Sequence, residues 1–139
     1  MPCLLCDHPD QTGEIIFDDD RVLVILHDDW ATRGHLMVVW KEHVQNLSDL
    51  DDEQSAHFHR VYRFAERAAL EAARAERAIV LKLGIAVPHL HVHIYPVSAA
   101  LDRSEVQRII DAAVRDPADE SARRALVERM RSQLAALSR

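Results

Sequence analysis

Chain-turning residues are scarce: only 3 glycines and 5 prolines occur in 139 residues. That argues against a collagenous or glycine-rich chain, and neither an internal repeat nor a low-complexity linker interrupts it. No stretch approaches the ~18 consecutive apolar residues of a membrane span. Basic residues are in deficit, 17 Lys and Arg against 23 Asp and Glu, for a net charge of −6. Such a chain lacks the basic patch of a sequence-independent nucleic-acid binder, yet one locally positive pocket can still take a small phosphorylated ligand. Cysteine is nearly absent, and its two copies stand together as Cys3-Leu4-Leu5-Cys6. The opening, MPCLLCDHPD, has neither a basic n-region nor a long apolar h-region, so no secretory signal is expected. In that setting the pair reads as metal-binding or redox-active before it reads as a structural disulfide. The expectation is a soluble, cytoplasmic single domain, no partner of membrane or nucleic acid, with 48% apolar residues to build its core.

What is present divides by period. EIIF (14–17), RVLVIL (21–26) and HLMVVW (35–40) are short β-rich runs. From Asp51 the period changes, and Phe58, Val61, Tyr62, Ala65 and Ala69 recur at helical spacing behind an Asp51/Gln54 capping pair. This predicts the main helix over 51–75. AIVLKL (78–83) and HLHVHIYPV (89–97) return to strand character. Ser104 and Gln107 form an S-x-x-Q signature ahead of Val106, Ile109, Ile110 and Ala113. Asp116-Pro117 predicts the start of a last helix that uses Val127, Met130, Leu134 and Leu137. Strands followed by helices, rather than strict alternation, predict an α+β fold with an antiparallel sheet.

The stretch that asks for chemistry is PHLHVHIYP (88–96). On a strand, His89, His91 and His93 share one face, each ~7 Å from the next, while Leu90, Val92 and Ile94 face the core. A lone histidine on a sheet is usually a solvated side chain; three backed by a clean apolar face are not explained that way. Two chemistries compete. Imidazoles suit a tetrahedral zinc site, and neutral imidazole is also a good nucleophile near pH 7. The strand by itself leaves both open.

His89-Leu90-His91-Val92-His93-Ile94-Tyr95 resembles the histidine triad motif, in which histidines alternate with apolar residues. The resemblance extends upstream. CLLC is similar to the cysteine pair that opens many bacterial members, and GHLMVVWKEH (34–43) to the segment that carries a fourth active-site histidine. It covers residues 3–97 in order. It implies a histidine-triad-like fold over residues 1–100, five antiparallel strands with one main helix, and a C-terminal helical extension over 101–139 packed on the same domain. It also implies nucleotide chemistry, with His91 attacking the α-phosphorus of a nucleoside monophosphate derivative, and His93 and His35 orienting the site and stabilising charge. His89 joins the catalytic set as the first of the triad. Together with Cys3, Cys6 and His43 it is also implied as a structural zinc ligand. His8 is a rival ligand; His57 and His59 read as surface or boundary residues. No organic cofactor is implied, and a homodimer is.

The implied nucleoside pocket is less sharply marked. Counting back eight residues from His35 reaches His27 rather than the expected acid, with Asp28 next door. Asp28 is the preferred ribose ligand here and His27 the alternative, while Leu5, Ile25 and Leu26 are candidates to sandwich the base. The sequence also departs from the family. Before the triad it reads Gly84-Ile85-Ala86-Val87 where members show a glutamine and a hydroxyl residue, and YPVSA after it has no cation for a polyphosphate tail. Small phosphoramidate-like derivatives are therefore expected before long dinucleoside polyphosphates, with the leaving-group acid drawn from Lys82, Tyr95, Ser98 or water. Three other readings stay open: nucleotidyl transfer to a second substrate, a nucleotide-binding regulatory module with decayed catalysis, and a zinc hydrolase using all three histidines. The tail helices either cover the open sheet face or present an apolar stripe to a second subunit.

Overall fold

Short β-branched runs and one long amphipathic stretch build a sheet with helices packed on it. The computed structural model describes residues 2–28, 32–111 and 119–138. A four-residue helical turn, α1 (Leu4–Asp7), follows Cys3 and leads to β1 (Gly13–Asp18), β2 (Val22–His27) and β3 (Leu36–Trp40). Then come α2 (Asp52–Ala73), β4 (Arg77–Leu81), β5 (His91–Val97), α3 (Arg103–Ile110) and α4 (Glu120–Leu134). The strands form one antiparallel sheet in the order β1-β2-β3-β5-β4. This is the five-stranded α+β architecture that the sequence predicts.

α2 begins where its cap says it should. The Asp51 carboxylate accepts from the Gln54 N–H at 2.8 Å and the Gln54 side chain accepts from the Asp51 N–H at 2.9 Å. This reciprocal box satisfies two of the N–H groups that a helix start leaves bare. Phe58, Val61, Ala65, Ala68 and Ala69 then bury one stripe against Val24, Leu36, Val38, Leu90, Val92 and Ile94. At the end of the helix Arg74 adopts the left-handed conformation, φ 52°, and closes it with its N–H on the Glu71 carbonyl.

The tail helices part company. The α4 stripe of Leu126, Val127, Met130, Leu134 and the following Leu137 enters the same core as α2, beside α2 and over β1. This apolar face is therefore spent inside the chain and not offered to a second subunit, and it lies on the α2 side rather than on the open face of the sheet. α3 takes the opposite side, where Ile109 packs with Tyr95 and Val97. Two caps differ from expectation. α3 starts at Asp102, boxed with Glu105, because its carboxylate accepts from the Glu105 N–H at 2.8 Å, so Ser104 lies inside the helix. α4 is capped by Asp119, which accepts from the Ala122 N–H at 2.7 Å; Ala113 and the Asp116-Pro117 start lie outside the described residues.

Gly34 sets the position of His35. Its φ is +86°, and a Cβ there would stand 3.3 Å from the Ala69 carbonyl oxygen. A side chain would be strained at that angle and crowd α2. The bare backbone lets the chain pass close over the helix and enter β3 with His35 on the opposite face.

Candidate active site and metal centre

The pleat of β5 sends His91, His93 and Tyr95 to one face, beside their β3 neighbours Val39 and Met37, and Val92 and Ile94 to the core. His89 does not share that face as expected, because it lies before the strand. Its N–H donates to the Val87 carbonyl at 2.8 Å, and the next N–H, of Leu90, goes to Val44 at 2.7 Å. Pro88 has no N–H to offer a ladder, and the chain is captured instead by Val44 and by Trp40, whose N–H donates to the Leu90 carbonyl at 3.2 Å. The three rings therefore do not converge on one point, and a metal held by all three is excluded as the organisation of the site.

The His89 ring turns toward the N-terminus of the chain. Its Nε2–H donates to the Trp40 carbonyl at 2.5 Å, which fixes the tautomer and leaves Nδ1 as a bare lone pair. That lone pair stands 3.4 Å from Cys3 Sγ, 3.3 Å from Cys6 Sγ and 3.2 Å from His43 Nδ1. All four donor atoms lie within 4.8 Å of one another. A tetrahedral zinc with bonds of ~2.0–2.3 Å separates its ligands by roughly 3.3–3.8 Å, so the set fits a closed Cys₂His₂ site. With His89 Nδ1 bare, either a metal cation between the two nitrogens or a proton on His43 Nδ1 makes their 3.2 Å approach favourable. His8, exposed, is not among these ligands.

His91 receives its orientation from the same turn. Its Nδ1–H donates to the His89 carbonyl at 2.6 Å, so Nε2 carries the free lone pair. Burial, with the Lys82 charge adding to it and the His89 carbonyl opposing, holds the ring below the ordinary histidine range and so neutral near pH 7. Beside it, at a ring-centroid distance of 5.1 Å, His93 bonds through Nδ1 to His35 Nε2 at 2.9 Å, one nitrogen donating and the other accepting. His35 is itself sandwiched. His27 stacks on one face at 4.6 Å with planes 5° apart, and Tyr95 on the other at 4.3 Å.

Burial first, then the His91 and His27 rings, push His93 down to about 4. The folded state thus resists a proton that the unfolded chain accepts near pH 6.5. This stability is intact above pH 6.5 and is lost as the pH falls towards 4, to about 3 kcal/mol for the full shift. A His93→Asn variant, whose amide can still meet His35, is expected to show a flatter stability curve between pH 6.5 and 4. Chemical denaturation at several pH values checks it; parallel curves for the two proteins would contradict it.

A cavity of about 360 Å³ opens in front of these rings and is lined by Leu5, His27, Met37, His91, His93 and the segment from Leu83 to Val87. Leu5 and Ile25 lie in one buried cluster with Met37 behind the histidines, as a base-facing wall requires. Leu26 does not; it is fully buried under α2, on the other face of β2. Asp28 is also not brought to the rings. Its carboxylate meets Arg123 at 3.1 Å, in a groove with Glu14 and Arg131, and the position facing the cavity belongs to His27. Among the candidate proton donors, Tyr95 is buried against the rings, Lys82 donates to Asn46 at 3.2 Å, and Ser98 lies past the end of β5. His57 pairs with Asp19 at 2.7 Å, and His59 is exposed, stacked on Tyr62; both lie on α2, across the sheet from the cavity.

One residue went unread in the sequence. Arg123 of α4 donates to the Leu26 carbonyl at 3.1 Å and the His27 carbonyl at 3.3 Å, tying the tail to the strand end that carries His27. No local pattern signals a contact across 96 positions. Tyr95 was legible only as a proton donor, although its odd number places it on the face of His91 and His93.

The HIT domain family model matches residues 8–99. The "Protein hit" of Bacillus subtilis (strain 168) is 32% identical over 87 residues, which cover 58% of this chain and 59% of that protein. The chain thus spans about three fifths of that relative's length. A HIT-like protein of Mesomycoplasma hyorhinis, itself uncharacterized, is 30% identical over 95 residues, 63% of this chain and 83% of its own. Among solved structures, a Zn-bound histidine triad family protein from Mycobacterium smegmatis superposes with a TM-score of 0.68 at 27% identity, over 99% of this chain and 96% of that one. A histidine triad protein from Bradyrhizobium japonicum gives 0.74 at 22% identity, over 92% and 95%, a likeness of fold.

Proposed function

The chain belongs to the HIT domain family, and on that premise we propose that it is a nucleotide hydrolase or nucleotidyl transferase acting at the α-phosphate of a small nucleoside monophosphate derivative, with His91 as the nucleophile. One observation carries this reading: the 2.6 Å bond from His91 Nδ1–H to the His89 carbonyl, which aims a neutral Nε2 into the cavity. The Nε2 lone pair attacks phosphorus, a P–N bond forms, and the bond to the leaving group breaks with its electron pair going to that group. The ring becomes an imidazolium whose Nδ1–H stays on the carbonyl, a bond that strengthens as charge develops. The His93–His35 pair lies beside it and supplies N–H donors to the phosphate oxygens. Water, or a second phosphorylated acceptor, then attacks phosphorus from the opposite side and the P–N bond returns its electrons to Nε2.

Structural zinc on Cys3, Cys6, His43 and His89 would supply a cross-link and thiolate stabilisation, with no open coordination position for substrate. A homodimer would join at β4, the sheet edge, where Val80 is exposed. A solution mass of one chain, 15.8 kDa, would oppose that. The aliphatic segment Ile85-Ala86 favours a second reading, a nucleotide-binding module without turnover. Incubation with a nucleoside phosphoramidate followed by mass spectrometry at alkaline pH distinguishes them: a nucleotidyl adduct on the peptide that contains His91 supports the enzyme, and nucleotide bound without any adduct supports the module.

A further inference from the structure

The bond between His35 Nε2 and His93 Nδ1 fixes one atom of the His35 ring but not its tilt, because the outer torsion of a histidine side chain is broad. The sheet supplies what the bond does not. Leu26 pairs with Leu36 across β2 and β3, and Leu36 with Ile94 across β3 and β5. One step further along the same register, His27, His35 and Tyr95 fall in a row over three strands, and Ile79 of β4 pairs with Tyr95. Residues directly opposed on one face of a sheet bring their side chains together. The His35 ring is accordingly gripped flat, with His27 at 4.6 Å and planes 5° apart on one side, and Tyr95 at 4.3 Å and 28° on the other.

Each jaw of this grip is backed by a different tail helix. Behind Tyr95 stands α3, whose buried Ile109 packs on Tyr95 and Val97 with Ile79, Leu81 and Leu101 around them. Behind His27 stands α4. The Arg123 guanidinium donates from both Nη1 and Nη2 to the His27 carbonyl at 3.3 Å, and from Nη2 to the Leu26 carbonyl at 3.1 Å. The His27 N–H in turn donates to the His35 carbonyl at 3.0 Å. The backbone that carries the His27 ring is thus held from both sides at the end of β2, where a strand would otherwise fray. Attack on phosphorus needs neither Ile109 nor Arg123. We propose that the two tail helices clamp the active site, α3 through Ile109 and Tyr95 and α4 through Arg123 and His27, and hold the His35 ring at the tilt that keeps its bond to His93. Tyr95 and Arg123 are positioning residues, acting through His35. This goes beyond the nucleotidyl-transfer reading but rests on it for the part that His35 and His93 play at the phosphate.

The test uses the intact protein and two readouts: turnover of the phosphoramidate of AMP, and the NMR resonance of the proton shared by His35 and His93 in the free protein. Tyr95→Leu and Arg123→Gln should each lower kcat about tenfold with KM within about twofold, a smaller loss than the hundredfold that a misplacement of ~1 Å can cause. In both, the shared-proton resonance, sharp in the wild type, should broaden or vanish. Tyr95→Phe keeps the ring and should hold both readouts within about twofold of wild type. Arg124→Gln, next along α4 and paired with Glu120, should leave them alone. If thermal melting shows that Tyr95→Leu has unfolded, Arg123→Gln decides, since that side chain is 18% exposed and outside the apolar core. A resonance as sharp in Arg123→Gln as in the wild type, or absent from the wild type, overturns the proposal. Equal losses of rate in Tyr95→Phe and Tyr95→Leu assign the effect to the hydroxyl and overturn it too, as does a rise in KM at unchanged kcat. If no protein turns over the nucleotide, a resonance lost in Arg123→Gln and kept in Tyr95→Phe still supports the clamp, and only the enzyme reading fails.

Discussion

His91→Asn is expected to lower kcat by about 10⁴-fold or more, the scale of removing a nucleophile, with little loss of nucleotide affinity. Asparagine is the informative choice here. Its amide N–H sits near the position of Nδ1 and can keep the donation to the His89 carbonyl, whereas the Nε2 lone pair has no counterpart. The variant thus removes bond formation to phosphorus while the turn around His89 and the metal ligands stay in place. Nucleotide binding by calorimetry and thermal melting should remain near wild type, and the mass-spectrometric adduct should disappear. A rate within tenfold of wild type would mean that water is activated directly and that the ring is a bystander. Reading kcat separately from KM matters, because a residue that merely shapes the cavity would move affinity first.

Legibility followed the range of each interaction. The α2 cap was readable because Asp51 and Gln54 are three residues apart and satisfy each other. The common face of His91 and His93 was readable from strand parity alone, and the metal set came from resemblance, with four ligands that the fold gathers from three segments. What failed needed distant information. Val22 to Leu26 are buried on both faces of β2, so no polar alternation separates Ile25, behind the cavity, from Leu26, in the core. His89 continues the alternating pattern in sequence but not in space, since Val44 and Trp40 bend the backbone there. Asp28 lost the cavity to His27 because its carboxylate reaches Arg123 from a helix nearly a hundred residues later. At α3 two capping signatures overlap, and the one with both carboxylates, Asp102 and Glu105, is the one formed.

Cys6→Ser is expected to have the second largest effect, and its measure is metal and stability before activity. Elemental analysis should find about one zinc per chain in the wild type, the count of a single four-ligand site, and almost none in the variant. The stabilisation at stake follows from linkage: a metal present at ~1,000 times its dissociation constant adds about 4 kcal/mol. For a chain of this size that corresponds to a fall in Tm of roughly 10 °C, and chelation of the wild type should reproduce it. Rate should then suffer indirectly. The carbonyl that holds His91 Nδ1 belongs to His89, and His89 is pinned on one side by Trp40 and on the other by the cluster of Cys3, Cys6 and His43. Freeing the cluster lets that carbonyl wander, so the adduct on His91 should still form, only more slowly. Complete loss of rate on chelation with no change in melting would point the other way, to a metal that takes part in the chemistry. Unchanged metal content in Cys6→Ser would remove the site altogether.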